Sequence, residues 1–255
     1  MHEQPTGTNP APSDPPATTY NAAADLVGRN LAAGRGDKCA YIDDRGTYSF
    51  GELDAAVRRA AAMLRGLGLQ PEQRVLLCLL DTFELPVMFL GAIRAGIVPV
   101  LTNTLLTADD YVWMLADSRA RLAIVAAPLA AQFADIRAHL PRVVVSGGVD
   151  DELRTLLDAA TGDDGVASTS SDEACFWLYS SGSTGRPKGT VHVHASLIAT
   201  AELYARPVLG ITSDDVVFSA AKLFFAYGLG NALSFPLCVG ATTVLMAERP
   251  TPEAV

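Results

Sequence analysis

The chain has 255 residues, 49% of them hydrophobic, enough to bury a sizeable core as one large domain or two small ones. Its 19 basic residues against 28 acidic ones give a formal charge of -9. That is the wrong sign for a protein that binds by neutralising nucleic-acid phosphates or an anionic membrane surface, so neither is expected as a partner.

Residues 1–19, rich in Pro, Thr and Ala and lacking an apolar core, read as a disordered leader rather than a signal or anchor. From Tyr20 helical and strand-like segments alternate, the pattern of an α/β fold of layered β-α units with mostly parallel sheets. The Ser49-x-x-Glu52 capping box predicts a helix ending near Gly66 or Gly68, and RVLLCLL predicts a buried strand. A second helix over ELPVMFLGAIRAG is apolar nearly all round, as a helix enclosed on every side would be. Arg94 and Pro99 interrupt this region before it reaches the roughly 18 apolar residues of a membrane span. The strand VPVLT follows, then a helix capped by Thr107 to Asp110, the strand RLAIVA, a helix over LAAQFADIRAHL, the strand RVVVSG and a helix over DDELRTLLDAA. Residues 20–160 are thus expected to form a first α/β subdomain, with the polar segment 161–174 as a loop or boundary.

Residues 175–255 are expected to begin a second α/β subdomain: strand CFWLYS, a Gly/Ser loop, strand TVHVH, a helix from about Ser196, strand VVFSAA, a helical YGLGNALSFPLCVG and strand ATTVLM. The closing AERPTPEAV is a weak helix start with nothing after it, which predicts a chain truncated at its C-terminus. The four cysteines include no C-x-x-C pair and three lie in apolar surroundings, which suits reduced thiols in the cytoplasm.

The informative stretch is YSSGSTGRPKGTVHVH, Tyr179 to His194. A strand running into Ser180, Ser181, Gly182, Ser183, Thr184 and Gly185 has the parts of a phosphate cradle, since glycines let backbone N–H groups converge on an anion and hydroxyls add donors. Lys188 adds a positive charge for a polyphosphate, and Pro187 stiffens the approach to it. A flexible linker would have no use for the Pro-Lys-Gly ending. The loop is not a Walker P-loop, which needs Gly at 187 and Ser or Thr at 189, nor G-x-G-x-x-G, G-x-S-x-G or S-x-x-K. Ser219 to Lys222 spells S-x-x-K without the accompanying motifs and reads as chance.

YSSGSTGRPKG resembles the signature loop of the adenylate-forming superfamily of acyl-CoA synthetases, luciferases and peptide-synthetase adenylation domains. The resemblance runs from about Tyr20 to the last residue. Through NLAAGRGDK, VPVLTNTLLTADDY and KLFFAYGLGNALSFPLCVGATTVLMAERPTPEAV it narrows to benzoate-CoA ligases and related aryl-CoA ligases. It implies that Ser180 to Gly185 and Lys188 bind the β- and γ-phosphates of ATP, with Lys188 stabilising the leaving polyphosphate and Thr184 approaching Mg²⁺. It implies further that Ala226, Tyr227 and Gly228 line an aryl carboxylate pocket, and that coenzyme A is the second co-substrate. Phe224, Phe225 and Tyr227 offer flat apolar surface for such a ring, although an aromatic cluster also suits ordinary core packing.

Members of this family are about twice this length, so the resemblance implies a chain that is inactive, or nearly so, by itself. Alternatives are a nucleotide-binding or interaction module without catalysis, and a ligase for another aryl acid such as a hydroxy- or aminobenzoate. Homo-oligomerisation is left open. His192 and His194 could share a strand face as a metal pair, but two satisfied histidines account for them more simply. The Arg35-Gly36-Asp37 triplet reads as a surface loop, and the acid pairs at 109–110, 163–164 and 214–215 read as caps.

Overall fold

Local side-chain chemistry starts the helices where the sequence places them. In the computed structural model, which describes residues 19–134, 136, 140, 142–161, 165–180 and 186–255, Asn21 caps α1 (Ala22–Ala32) by accepting from Ala24 N at 3.2 Å. After the short strands β1 (Cys39–Asp43) and β2 (Gly46–Ser49) comes α2 (Phe50–Gly66). Its expected capping box is formed: Ser49 Oγ accepts from Glu52 N at 3.1 Å, and Ser49 N donates to Glu52 Oε2 at 2.7 Å. β3 (Arg74–Cys78), α3 (Glu84–Arg94) and β4 (Val98–Leu101) follow. Thr107 and Asp110 form a second capping box at the start of α4 (Ala108–Ser118). Next are β5 (Leu122–Ala126), β6 (Val143–Ser146) and α5 (Glu152–Ala159). Where a helix over residues 129–140 is expected, the chain forms a 3₁₀ helix over Ala127–Phe133, with no side chain capping its first turn.

The remainder forms β7 (Ala174–Ser180), β8 (Lys188–Val193), α6 (His194–Thr200), β9 (Val216–Phe218), α7 (Ala226–Leu229), α8 (Phe235–Val239) and β10 (Thr242–Val244). The backbone continues from α6 as a π-helix over Ala201–Leu209, which contains Pro207, a residue without the N–H that regular α-helix requires. Residues 1–18 of the expected leader, and Ser181 to Gly185, lie outside the described residues.

The strands make two sheets, ordered β6-β5-β3-β4-β7-β8 and β2-β1-β10-β9. Among the paired strands of the described residues β7–β8 and β1–β2 are antiparallel and the rest parallel, so the sheets are mostly parallel, as the alternation of elements predicts. The division at 161–174 does not separate them: β7 pairs with β4, and β10 with β1. β4 is buried along its whole length and needs a partner on each side, which β3 and β7 supply from either side of that segment. The stretches 20–160 and 175–255 therefore interleave in shared sheets instead of forming consecutive subdomains.

Both faces of the six-stranded sheet are covered. Leu76 and Cys78 of β3 join one core with Tyr111 and Met114 of α4, while Val75 and Leu77 join the other with α1, α2 and α3. α3 is buried from Leu85 through Arg94, as expected of an enclosed helix. It crosses α2 so closely that a Cβ at Gly91 would lie 2.4 Å from Ala60 Cβ.

Candidate active site

The Gly/Ser loop is the connection of the β7–β8 hairpin. Ser180 is paired with Lys188 in register, so the two described ends of the loop face each other across one rung. Below them Tyr179 pairs with Gly189, and the Tyr179 hydroxyl donates to Asp117 Oδ2 of α4 at 2.7 Å. Burial, first, and the Asp117 carboxylate both push the Tyr179 phenol well above its usual range, so it stays protonated as a donor. A Cβ at Gly189 would lie 3.1 Å from the Trp177 ring and 3.4 Å from Asp117 Oδ2, so this rung favours glycine. Ser180 and Lys188 are exposed, and among the described residues no ion pair holds the Lys188 ammonium.

The aromatic segment is built in another way. Leu223 and Phe224 are buried, while Phe225 and Tyr227 are 47% and 71% exposed. Leu223 N donates to both oxygens of Asp81, at 3.3 and 3.2 Å. The Lys222 ammonium donates to the carbonyls of Met246 and, at 2.6 Å, Glu248. Gly228 is buried against the preceding turn, where a Cβ would lie 2.0 Å from the Lys222 carbonyl oxygen. Any side chain there would displace α7.

Two cavities meet at Ala226. The first, about 670 Å³, is lined by Ser180, Pro187 and Tyr179 from the hairpin, by Asn103 and Met114, and by Phe224, Phe225 and Ala226. The second, about 650 Å³, lies between Ala226 and Tyr227 on one side and Leu203, Tyr204 and Phe235 on the other. His192 lines both. Of the residues expected at an aryl pocket, Ala226 and Tyr227 face cavities. Gly228 does not line either; it allows the tight turn that presents them.

The two histidines have separate tasks. His192 stacks on Phe176 with ring centroids 4.6 Å apart. His194 opens α6, and its Nδ1 accepts from Ala22 N at 3.1 Å. Burial lowers the pKa of each, which keeps these rings neutral. The S-x-x-K match dissolves: Ser219 Oγ donates to Ala221 O, while Lys222 is committed to the carbonyls beyond β10. Asp110 Oδ2 accepts from Thr107 N and Asp215 Oδ2 from Thr212 N, as expected of caps, and Asp163 and Asp164 lie outside the described residues. Asp81 and Asp117 were not singled out in the sequence for these contacts; the polar end of the apolar strand RVLLCLL was the available signal for Asp81.

A family model described as AMP-binding enzyme matches residues 29–255. Over 241 residues the chain is 60% identical to the benzoate–CoA ligase of Thauera aromatica, an alignment covering 92% of the chain and 46% of that ligase. It is 48% identical to a 4-hydroxybenzoate–CoA/benzoate–CoA ligase of Rhodopseudomonas palustris, covering 94% of the chain and 46% of the relative. A solved benzoate CoA ligase from Burkholderia xenovorans LB400 superposes with a TM-score of 0.86 at 52% identity, covering 92% of the chain and 47% of that protein. The chain spans about half the length of the curated relatives it matches.

Proposed function

Because the chain belongs to the AMP-binding enzyme family, we propose that it supplies the polyphosphate loop and an aryl pocket wall of an ATP-dependent aryl carboxylate–CoA ligase, with benzoate as the substrate. The observation that carries this reading is the first cavity: Ser180, at the mouth of the loop, and Phe224, Phe225 and Ala226 line the same space. A carboxylate held by the aromatic segment would meet the triphosphate held by the loop.

In this reading the ring sits against Ala226 and Tyr227, with its carboxylate turned past Ala226 toward the loop. A carboxylate oxygen attacks the α-phosphorus of ATP, and the bond to the bridging oxygen of pyrophosphate breaks, leaving an acyl-adenylate. The thiol of coenzyme A, giving up its proton to water, then attacks the acyl carbon through sulfur, and AMP departs with the electron pair. The loop N–H groups, its hydroxyls and Lys188 stabilise charge building on the departing pyrophosphate.

Mg²⁺ would arrive with the polyphosphate. Hydroxyls at a polyphosphate loop suit an ion that keeps most of its coordination from phosphate and water, so Thr184, outside the described residues, would be its protein ligand. Bound there, the ion would neutralise phosphate charge.

No helix among the described residues is long and apolar enough to cross a membrane. The reading places the enzyme in the cytoplasm, where ATP and coenzyme A are available. The test is AMP release on a panel of benzoate, hydroxybenzoates, aminobenzoate and an alkyl acid. It would use the 255-residue chain and a ligase-length protein joining residues 1–255 to the remaining part of the Thauera relative. Benzoate-dependent release by the longer protein, with little by the chain alone, is expected. Normal release by the chain alone would overturn the division of the site, and preference for another acid would overturn the substrate.

A further inference from the structure

The two sheets are tied to each other by reciprocal carboxylate–amide bonds near the site. Asp43, in β1 of the four-stranded sheet, accepts from Phe83 N in the loop after β3 at 2.9 Å. Asp81, in that same loop after β3 of the six-stranded sheet, accepts from Leu223 N in the segment after β9. The second tie falls immediately before the cavity wall, and three features set it apart from an ordinary cap.

First, Asp81 is 4% exposed and its partner amide is buried, so removing the carboxylate leaves an N–H with no water to replace it. Second, Leu223 leads directly into Phe224, Phe225 and Ala226, which line the larger cavity. Third, β3 belongs to the sheet whose β7–β8 hairpin carries the Gly/Ser loop. Lys222 anchors the same segment elsewhere, to carbonyls that follow β10.

We infer that Asp81 is a positioning residue for the carboxylate pocket: its buried carboxylate fixes the Phe224–Tyr227 wall relative to the sheet that presents the polyphosphate loop. The inference rests on the proposed reading of the cavities and adds to it the part that sets the spacing between the two substrates. Burial pushes the Asp81 carboxyl up to about 6, opposed by the Lys222 ammonium and the Leu223 amide, so near neutral pH the tie is a charge-assisted bond.

Hydrogen exchange on the 255-residue chain tests the tie without ATP or benzoate. Asp81→Ala should speed exchange at residues 223–226 by more than about tenfold and leave the β7–β8 amides within about twofold. Asp81→Asn, which keeps an acceptor oxygen, should stay within about threefold of wild type. In the ligase-length protein, Asp81→Ala should raise KM for benzoate by about tenfold with KM for ATP within about twofold, and Asp81→Asn should recover most of the loss. If Asp81→Ala does not fold, Asp81→Ser replaces it with the same expectations.

Unchanged exchange at 223–226, or KM for both substrates rising together, would overturn the inference. A ligase-length protein that activates no aryl acid would overturn the functional reading and the pocket role with it, while the exchange result still judges the tie.

Discussion

The β7–β8 hairpin and the segment from Ser219 to Gly228 border one cavity but are built on opposite terms. The hairpin ends are exposed, and the features that suit them to an anion are backbone N–H groups, hydroxyls and one lysine. The aromatic segment is fixed by bonds at its base: a buried one from Leu223 N to Asp81, part-buried and exposed ones from Lys222 to the carbonyls after β10, and the packing of Gly228 on the Lys222 carbonyl. In the proposed reading, a loop that holds a polyphosphate gains from groups that remain free to bind it. In the same reading, a wall that recognises a small flat ring gains from being held in place. Substitutions in the two regions should therefore separate chemistry from stability.

The largest separation is expected at Lys188. In the ligase-length protein, Lys188→Ala should slow adenylate formation by about 10²–10³-fold, as loss of one electrostatic stabiliser commonly does. Benzoyl-CoA formation from supplied adenylate should fall far less, and because the side chain is exposed, thermal stability should change by less than about 0.5 kcal/mol. Equal slowing of both half-reactions would remove the contrast.

Asp81 gives the pH counterpart. Its carboxyl is raised by burial to about 6, above the usual carboxylate range, so the folded state binds the proton more tightly than the unfolded chain does. Its contribution to stability is therefore fullest below about pH 4 and is lost as pH rises through about 6, a change on the order of 2–3 kcal/mol. Denaturant titrations should show this slope in the wild-type chain and a much smaller one in Asp81→Asn.

Gly228→Ala should act on stability first. Its methyl group would displace α7 from the Lys222 carbonyl, at a cost of about 2 kcal/mol, or roughly 4–8 °C in Tm for a chain of this size. An unchanged Tm would show that the turn relaxes without strain. Ala226→Val narrows the junction of the cavities and should raise KM for benzoate by about tenfold, leaving KM for ATP unchanged. The smallest effect is expected at the sheet edge. Val216, on edge strand β9, is 65% exposed, and Val216→Lys should reduce self-association of the 255-residue chain in sedimentation.

Much of the fold was legible because the signals are local. The capping boxes at Ser49 and Thr107 and the enclosed helix α3 each depend on residues within a few positions of one another. β1 and β2 were not, since CAYID and GTYS are short and carry no regular alternation of apolar and polar residues. The interleaving of the two stretches was hidden as well, because parallel pairing of β10 with β1 joins residues some two hundred positions apart.

The site divides along the same line. The Gly/Ser loop announces itself by composition, although Ser181 to Gly185 lie outside the described residues. The resemblance pointed to Ala226 and Tyr227; both line cavities, which meet at Ala226. Gly228 was grouped with them by adjacency, but a turn of helix carries it inward onto Lys222. Asp81 was not legible as an anchor of this segment, since its partner is 142 positions away.

The central claim, that the loop and the aromatic segment serve one adenylation site, is tested most directly by exchange of labelled pyrophosphate into ATP. In the ligase-length protein this exchange should require benzoate, proceed without coenzyme A, and be nearly abolished by Lys188→Ala. Exchange that proceeds without benzoate, that needs coenzyme A, or that survives Lys188→Ala would contradict it.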